Sequence, residues 1–264
     1  MHSTHPCTDI AAELYAEPRG TVPRGVKTHT ATASGIRLTR VDILRHGLRR
    51  AKGRYITLDM PPFAQIDPQD EAFVYAIASQ LRTLLPPEGA VLVAGIGNRA
   101  VTPDALGPAT ADKVFVTDGH GAADLPLRAV AAVSPGVEGA TGLSTAQTLR
   151  ALVDTMHPCA VVAVDSLCTA TPSRLGCSVQ LSDAGLSPRH ARDITAETLG
   201  VPVIAVGVPT VTELCSAEPT DTPLLVTPKE IDAILARASA LLALAINKAL
   251  QPALRVDELS FLTS

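Results

Sequence analysis

Two strand-like runs in this chain lead into aspartates. Val91-Leu-Val-Ala-Gly-Ile96 is apolar, rich in β-branched residues and closed by Gly95 and Gly97, the pattern of a strand buried on both faces of a parallel sheet. The turn Gly97-Asn98-Arg99 then leads to Thr102-Pro103-Asp104. Thr102 is a helix-capping type, proline suits a first helical position, and Asp104 falls in the first turn, where negative charge is favoured. Gly107-Pro108 is expected to stop that helix almost at once. Pro158-Cys-Ala-Val-Val-Ala-Val-Asp165 has the same design. In open α/β sheets ligands bind beyond the carboxyl ends of the strands, so Asp104 and Asp165 could meet across a cleft there. Two adjacent carboxyls do not both ionise readily; one keeps a proton and the other stays charged. Such a pair can activate water and protonate a carbonyl oxygen, which is amide hydrolysis without a metal. The plainer alternative leaves Asp104 as a cap and Asp165 as a turn former.

Other constellations carry less. Gly95-Ile-Gly97-Asn98-Arg-Ala100 matches G-x-G-x-x-A after a strand, with Asp118 about 20 residues on, which imitates a dinucleotide-binding fingerprint. That fingerprint needs an unbroken helix, and Gly107-Pro108 breaks it. Ser166 and Cys168 follow Asp165, and His120, His157 and His190 are available as bases, but there is no G-x-S-x-G elbow. No ligand spacing supports a metal site, and no cofactor is expected. Asp183, before Ala184-Gly185, is a further acid at a strand end, with a turn-forming role as its alternative.

The elements that must position these acids alternate. Asp70–Leu85 has helical spacing (Phe73, Ile77, Leu81, Leu84) and stops at Pro86-Pro87. Lys113–Thr117, Arg128–Ser134, Ser178–Asp183 and Val201–Val208 read as strands, and Ser144–Met156 as an amphipathic helix. Thr227-Pro-Lys-Glu230 reads as a capping box that opens a last helix with a buried stripe from Ile231 to Ile246. Residues 1–35, with Pro6, Pro18, Pro23, Gly20 and Gly25, read as an arm; Ile36–Val41 and Gly53–Leu58 as a marginal antiparallel pair. Buried strands alternating with helices predict a three-layer α/β/α sandwich with a mainly parallel sheet, plus a small antiparallel appendage over 36–58.

Composition fits one such domain. The chain has 264 residues, 46% hydrophobic, with a formal net charge of −4. No clustered cationic face argues for nucleic acid, and aromatics are only 3%. The six cations between Arg40 and Arg54 read as a solvated surface or a contact for an acidic partner. Five cysteines with no C-x-x-C fit a reducing cytoplasm. The start is not a secretory signal. No run is both long and uncharged enough to span a bilayer; Ile231–Leu250 reads as a core helix.

Taken together, the motifs resemble the germination proteases of spore-forming Gram-positive bacteria, aspartic-type endopeptidases. The matching segments are Gly53–Leu58, Gly95–Asn98 with Val101–Pro108, Pro135–Gly142, Ala163–Leu167, Gln180–Gly185, Glu197–Thr210 and Val226–Ile231. They cover most of residues 53–250 in the family's order. The resemblance implies cleavage of small acid-soluble spore proteins in the spore core, with Asp104 and Asp165 as the catalytic acids and Gly97, Asn98 and Asp183 as possible support. It implies a fold shared with hydrogenase-maturation proteases, a homotetramer, and no membrane or nucleic-acid partner. It also implies a zymogen. Thr8-Asp9-Ile10-Ala11-Ala12-Glu13 matches the family's cleavage context, which places self-cleavage between Asp9 and Ile10, residues 1–9 as propeptide and 10–264 as one peptidase domain. The family's long segment before the V-T-P-K-E helix is replaced here by Val211–Leu225. The alternatives are a hydrogenase-maturation-type endopeptidase, in which acids and a histidine grip a substrate's metal, and a dinucleotide-binding module.

Overall fold

Four parallel strands form the centre of the molecule, and the burial of two of them explains why. In the computed structural model, which describes residues 8–16, 22–117, 127–187, 192–214 and 224–263, Val91–Gly95 is buried at all five residues, and so is the run Ala160–Val164. A strand with no polar position cannot sit at a wet face, so helices cover it on both sides. The elements run in chain order as α1 (Ala11–Tyr15), β1 (Val26–Ala33), β2 (Ile36–Ile43), β3 (Gly53–Asp59), α2 (Glu71–Arg82), β4 (Val91–Gly95), α3 (Leu106–Ala111), β5 (Val130–Val133), α4 (Glu138–Thr141), α5 (Thr145–Met156), β6 (Ala160–Thr169), β7 (Ser178–Ser182), α6 (Ala196–Leu199), β8 (Val203–Leu214), β9 (Leu224–Val226), α7 (Ile231–Leu250) and α8 (Val256–Leu262).

Among the described residues one sheet contains all nine strands, in the order β1-β2-β3-β7-β8-β6-β4-β5, with β9 added to β8. β8, β6, β4 and β5 are parallel; β1, β2, β3, β7 and β9 join antiparallel. The expected α/β sandwich is present. Its parallel part is the four-stranded centre. The 36–58 pair is no separate appendage, because β3 pairs with β7 and continues the sheet.

α2, α3 and α7 cover one face through Val74, Ile77, Leu81, Leu106, Leu241 and Leu242; α5 and α6 cover the other through Leu149, Val153 and Leu199. α7 is long and apolar enough to cross a membrane by length and composition, but 78% of its apolar window is buried here, as a core helix requires. α2 starts where Asp70 accepts a hydrogen bond from the Ala72 N–H at 2.9 Å. Asp70→Ala is expected to cost about 1 kcal/mol, a fall of roughly 2–4 °C in melting temperature by calorimetry, with proteolytic activity unchanged.

Several sequence expectations are corrected. Lys113–Thr117 is not a strand: the Phe115 N–H donates to the Asn247 side chain and the Thr117 N–H to the Val130 carbonyl, so its backbone is satisfied irregularly. Residues 26–33, assigned to an arm, form β1, and 8–16 are docked into the fold. The capping box at 227–230 is not made. α7 begins at Ile231 without a side-chain cap, because the Thr227 hydroxyl donates to the Thr210 carbonyl instead, at 2.9 Å. Gly107-Pro108 does not stop a helix; both lie in the first turn of α3, where proline has no bond to lose.

Candidate active site

The turn after β4 is built from backbone packed on backbone. Ile96 leaves the sheet at the level of Val164, to whose carbonyl its N–H donates at 2.8 Å. Residues 102–104 make one 3₁₀ turn, then α3 begins. This chain path needs glycine three times, at Gly95, where a Cβ would lie 2.2 Å from the Gly107 carbonyl oxygen, and at Gly97 and Gly107. A Cβ on Gly107 would lie 2.2 Å from the Ile96 carbonyl oxygen and 2.4 Å from that of Val164. Gly97 has φ +124° and would place a Cβ 2.0 Å from the Asp104 carbonyl oxygen, so it meets both conditions that exclude a side chain. The turn therefore lies directly on the ends of β4 and β6, and Asp104 rides on it.

Asp104 and Asp165 line one cleft of about 470 Å³ at that sheet edge, together with Asp9, Arg50, Ser166 and Thr210. The edge expected from strand logic is the edge observed. The Asn98 N–H donates to Asp104 Oδ2 at 2.6 Å, and the Thr210 hydroxyl to the Pro103 carbonyl at 2.8 Å, which pins the 3₁₀ turn to β8. Asn98 thus supports the site through its backbone, and Gly97 through its missing side chain. Asp165 accepts from the Ser166 N–H at 2.8 Å. Burial pushes the Asp165 carboxyl well above the usual carboxylate range; the negative charges of Asp104 and Asp9 add to this, against the Ser166 N–H. Burial raises Asp104 as well, opposed by the Asn98 N–H. Both carboxyls thus hold a proton more readily than an ordinary aspartate does. Ser166 Oγ is buried with no hydrogen-bond partner among the described residues.

Asp183 is elsewhere. It accepts from the Arg54 N–H at 2.6 Å and ties the start of β3 to the end of β7; it does not line the cleft. His157 caps α5, also away from it. His120, His190 and Asp118 lie outside the described residues. Among the described residues no group of three His, Cys, Asp or Glu could hold a metal.

The chain's own residues 8–13 dock beside the cleft, and Asp9 is part of its lining. Asp9 is extended beside Cys168: its N–H donates to the Cys168 carbonyl and its Oδ2 accepts from the Cys168 N–H, both at 2.8 Å. Arg50 reaches Asp9 Oδ1 at 3.3 Å. The side-chain amide of Gln180 spans the Asp9–Ile10 bond, donating to the Asp9 carbonyl at 2.9 Å and accepting from the Ala11 N–H at 2.8 Å. Both partners are backbone groups of fixed polarity, so only this orientation of the amide makes both bonds. Ile10 is fully buried against Leu167. Glu13 receives the Thr169 hydroxyl, the Ala170 N–H at 2.9 Å and Arg174 at 3.4 Å. Burial would raise the Glu13 carboxyl, but Thr169, Thr8, Ala170 and Arg174 outweigh it and hold it below its ordinary value. Arg174 also meets Asp59 at 3.1 Å.

No pattern in the sequence signals that Arg50, Gln180 and Arg174 converge. Arg50 comes from the loop before β3, over a hundred residues from Arg174 in the turn after β6 and Gln180 in β7. Only the alternation of β7, which turns Gln180 to one face, was readable.

Among known families, the germination protease family matches residues 10–222 of this chain. The chain belongs to the germination protease family. A germination protease of Clostridium acetobutylicum is 32% identical over 319 residues, covering 96% of this chain and 97% of that one. One of Caldanaerobacter subterraneus is 34% identical over 316, with 96% of each covered. One of Oceanobacillus iheyensis is 36% identical over 234, covering 78% and 64%. The first alignment is longer than the 264 residues of this chain, so that germination protease carries segments absent here. Among solved structures, a [NiFe] hydrogenase maturation protease, HycI, from Thermococcus kodakarensis is similar at 18% identity, with 65% of this chain and 98% of that one covered and a TM-score of 0.39. The chain is a protease of the germination protease family.

Proposed function

We propose that this germination protease is an aspartic-type endopeptidase. In this reading it is made as a zymogen, cuts its own Asp9–Ile10 bond, and begins the breakdown of small acid-soluble spore proteins in the spore core. One observation carries the proposal: Asp9 lines the cleft that holds Asp104 and Asp165, and Gln180 holds its carbonyl.

The roles follow from environment. Asp165, the more strongly raised of the two, is the proton donor. Asp104, steadied by the Asn98 N–H, is the charged partner that takes a proton from water. The hydroxyl so formed attacks the Asp9 carbonyl carbon while Asp165 protonates the carbonyl oxygen. The Gln180 N–H already rests on that oxygen and lowers the energy of the charge developing there. Collapse passes a proton to the Ile10 nitrogen and breaks the C–N bond. The products are a carboxyl at Asp9 and an amine at Ile10, with one water consumed.

The pair needs one proton, so the rate is bell-shaped in pH. It falls on the basic side as Asp165 loses its proton, and that limb lies above pH ~3.9, where an ordinary aspartate titrates. A profile of cleavage rate against pH checks this; a single limb at the ordinary carboxylate position contradicts it. The substrate claim is tested by adding a purified small acid-soluble spore protein and mapping the fragments by mass. Cuts after an acid and before a large apolar residue support it, and an intact substrate beside a self-cleaved enzyme opposes it. The homotetramer implied by the resemblance is part of the proposal and is checked by sedimentation.

A further inference from the structure

We infer that the β1–β2 hairpin and the loop 44–52 form a docking surface outside the cleft. Its partner is an acidic stretch of a polypeptide substrate, well beyond the cut bond on the C-terminal side. This inference rests on the endopeptidase reading and adds a second contact to it.

Charge is separated along this chain. Residues 24–54 hold nine of its 22 Lys and Arg but only one of its 26 Asp and Glu, Asp42. The remainder is therefore strongly acidic. Strand pairing gathers the cations. In the antiparallel register Lys27 lies opposite Asp42, Asp42 opposite Arg54, and His29 opposite Arg40. Opposite residues share a face of the sheet, as do alternate residues of one strand. Lys27, Arg40 and Arg54 thus stand on one side around a single carboxylate. Asp42 meets Arg40 at 3.1 Å and Arg54 at 2.9 Å. Arg37 is paired with Asp59, and Arg50 with Asp9. Arg24, Lys27, Arg45, Arg49 and Lys52 are exposed and meet no carboxylate among the described residues.

The loop is a fixed platform. The Leu44 N–H donates to the Gly25 carbonyl at 2.8 Å, the Arg50 N–H to the Tyr15 hydroxyl at 3.3 Å, and the Tyr55 hydroxyl to the Ala51 carbonyl at 2.9 Å. Leu48 packs into the cluster of Val26, Val41, Ile43 and Tyr55. Like charges held together in this way build a local potential that draws in the opposite charge. The loop also borders the cleft. Arg50 lines it, and Leu14 and Ala16 pack on the same cluster as Leu48. A polypeptide running as residues 9–16 do therefore leaves the cleft at this loop, which sets the side on which its acids fall. Continuity with the cleft favours a polypeptide over a nucleic acid. So does composition: residues 24–54 contain no Phe, Tyr or Trp, so no aromatic platform exists for a base.

The test uses the purified full chain and two peptides with the sequence of residues 4–16, one extended by a run of glutamates and one by a Ser-Gly run. Cleavage is read by mass. Binding of labelled oligoglutamate and of a labelled DNA duplex is read by anisotropy. At low salt the glutamate-tailed peptide is expected to have about tenfold higher kcat/KM, mainly through KM, and added salt should remove the advantage. The variant Lys27→Glu/Arg49→Glu/Lys52→Glu should lose that advantage and bind oligoglutamate about tenfold or more weakly, with self-cleavage and melting temperature unchanged. Arg82→Glu/Arg192→Glu/Lys229→Glu, with the same change in net charge, should keep both. Equal cleavage of the two peptides, equal losses in the two variants, or tighter binding of the DNA than of oligoglutamate overturns the docking surface. Absence of every cleavage overturns the endopeptidase reading instead, and oligoglutamate binding then decides the surface alone.

Discussion

Asp165→Asn is expected to abolish cleavage and, at neutral pH, to raise the melting temperature. The two effects have one cause. Burial lifts the folded-state pKa of Asp165 well above its usual value, so the folded protein holds that proton more tightly than the unfolded chain does. For an acid raised in this way, stability is highest below the unfolded value of ~3.9 and falls as pH rises towards the folded value, after which the penalty is constant. Asparagine carries no such penalty and still accepts the Ser166 N–H. The variant should therefore melt higher than the parent at pH 7 and close to it at pH 3.5. Its cleavage rate should fall by about 10³-fold or more, since a positioned proton donor contributes roughly 10²–10⁴. Asp104→Asn should lose as much. The double variant should lose no more than either, because the two acids act as one unit. An Asp165→Asn protein that still cuts, or that melts lower at neutral pH, contradicts the assignment.

Gly107→Ala is expected to damage fold and activity together. Its methyl group would meet three backbone atoms at 2.2–2.5 Å, on Ile96 and Val164. None of these is the end of a flexible side chain, so α3 must lift away from β4 and β6. A misfit of this kind costs about 3 kcal/mol, or roughly 6–12 °C in melting temperature for a chain of this size. Asp104 precedes α3 on the same turn and moves with it, so the cleavage rate should fall by more than the stability loss explains. Gly139→Ala is the control: a methyl there meets nothing within 4 Å, and both readings should stay unchanged. Calorimetry and cleavage rates on the two proteins check the contrast.

The sequence exposed the site better than it exposed the local turns. Asp104 and Asp165 were legible because burial forces strand composition and strand ends open at a sheet edge. The turn between them was misjudged: Thr102-Pro103-Asp104 is a single 3₁₀ turn, and Gly107-Pro108 opens α3 because close backbone contact, not helix termination, requires the glycine. Thr227 looked like a cap and is spent on the Thr210 carbonyl, a tertiary bond that local pattern cannot reveal. β1 was hidden by its surface: after Val26 all its positions are exposed, so it lacks the apolar alternation that marks a strand. The docking of Asp9 and Glu13 was suggested only by the family's cleavage context. Of the arginines they meet, Arg50 lies in a basic stretch that reads as a solvated surface or a contact for an acidic partner, and no sequence pattern marks Arg174.

The most direct test of the central claim is the intact mass of the purified full chain beside Asp104→Asn, each held at mildly acidic and neutral pH. The account predicts loss of Met1–Asp9 from the parent, with Ile10 as the new first residue, and no loss from the variant. A parent that stays whole while cutting other proteins, or a variant that is processed like the parent, would contradict it.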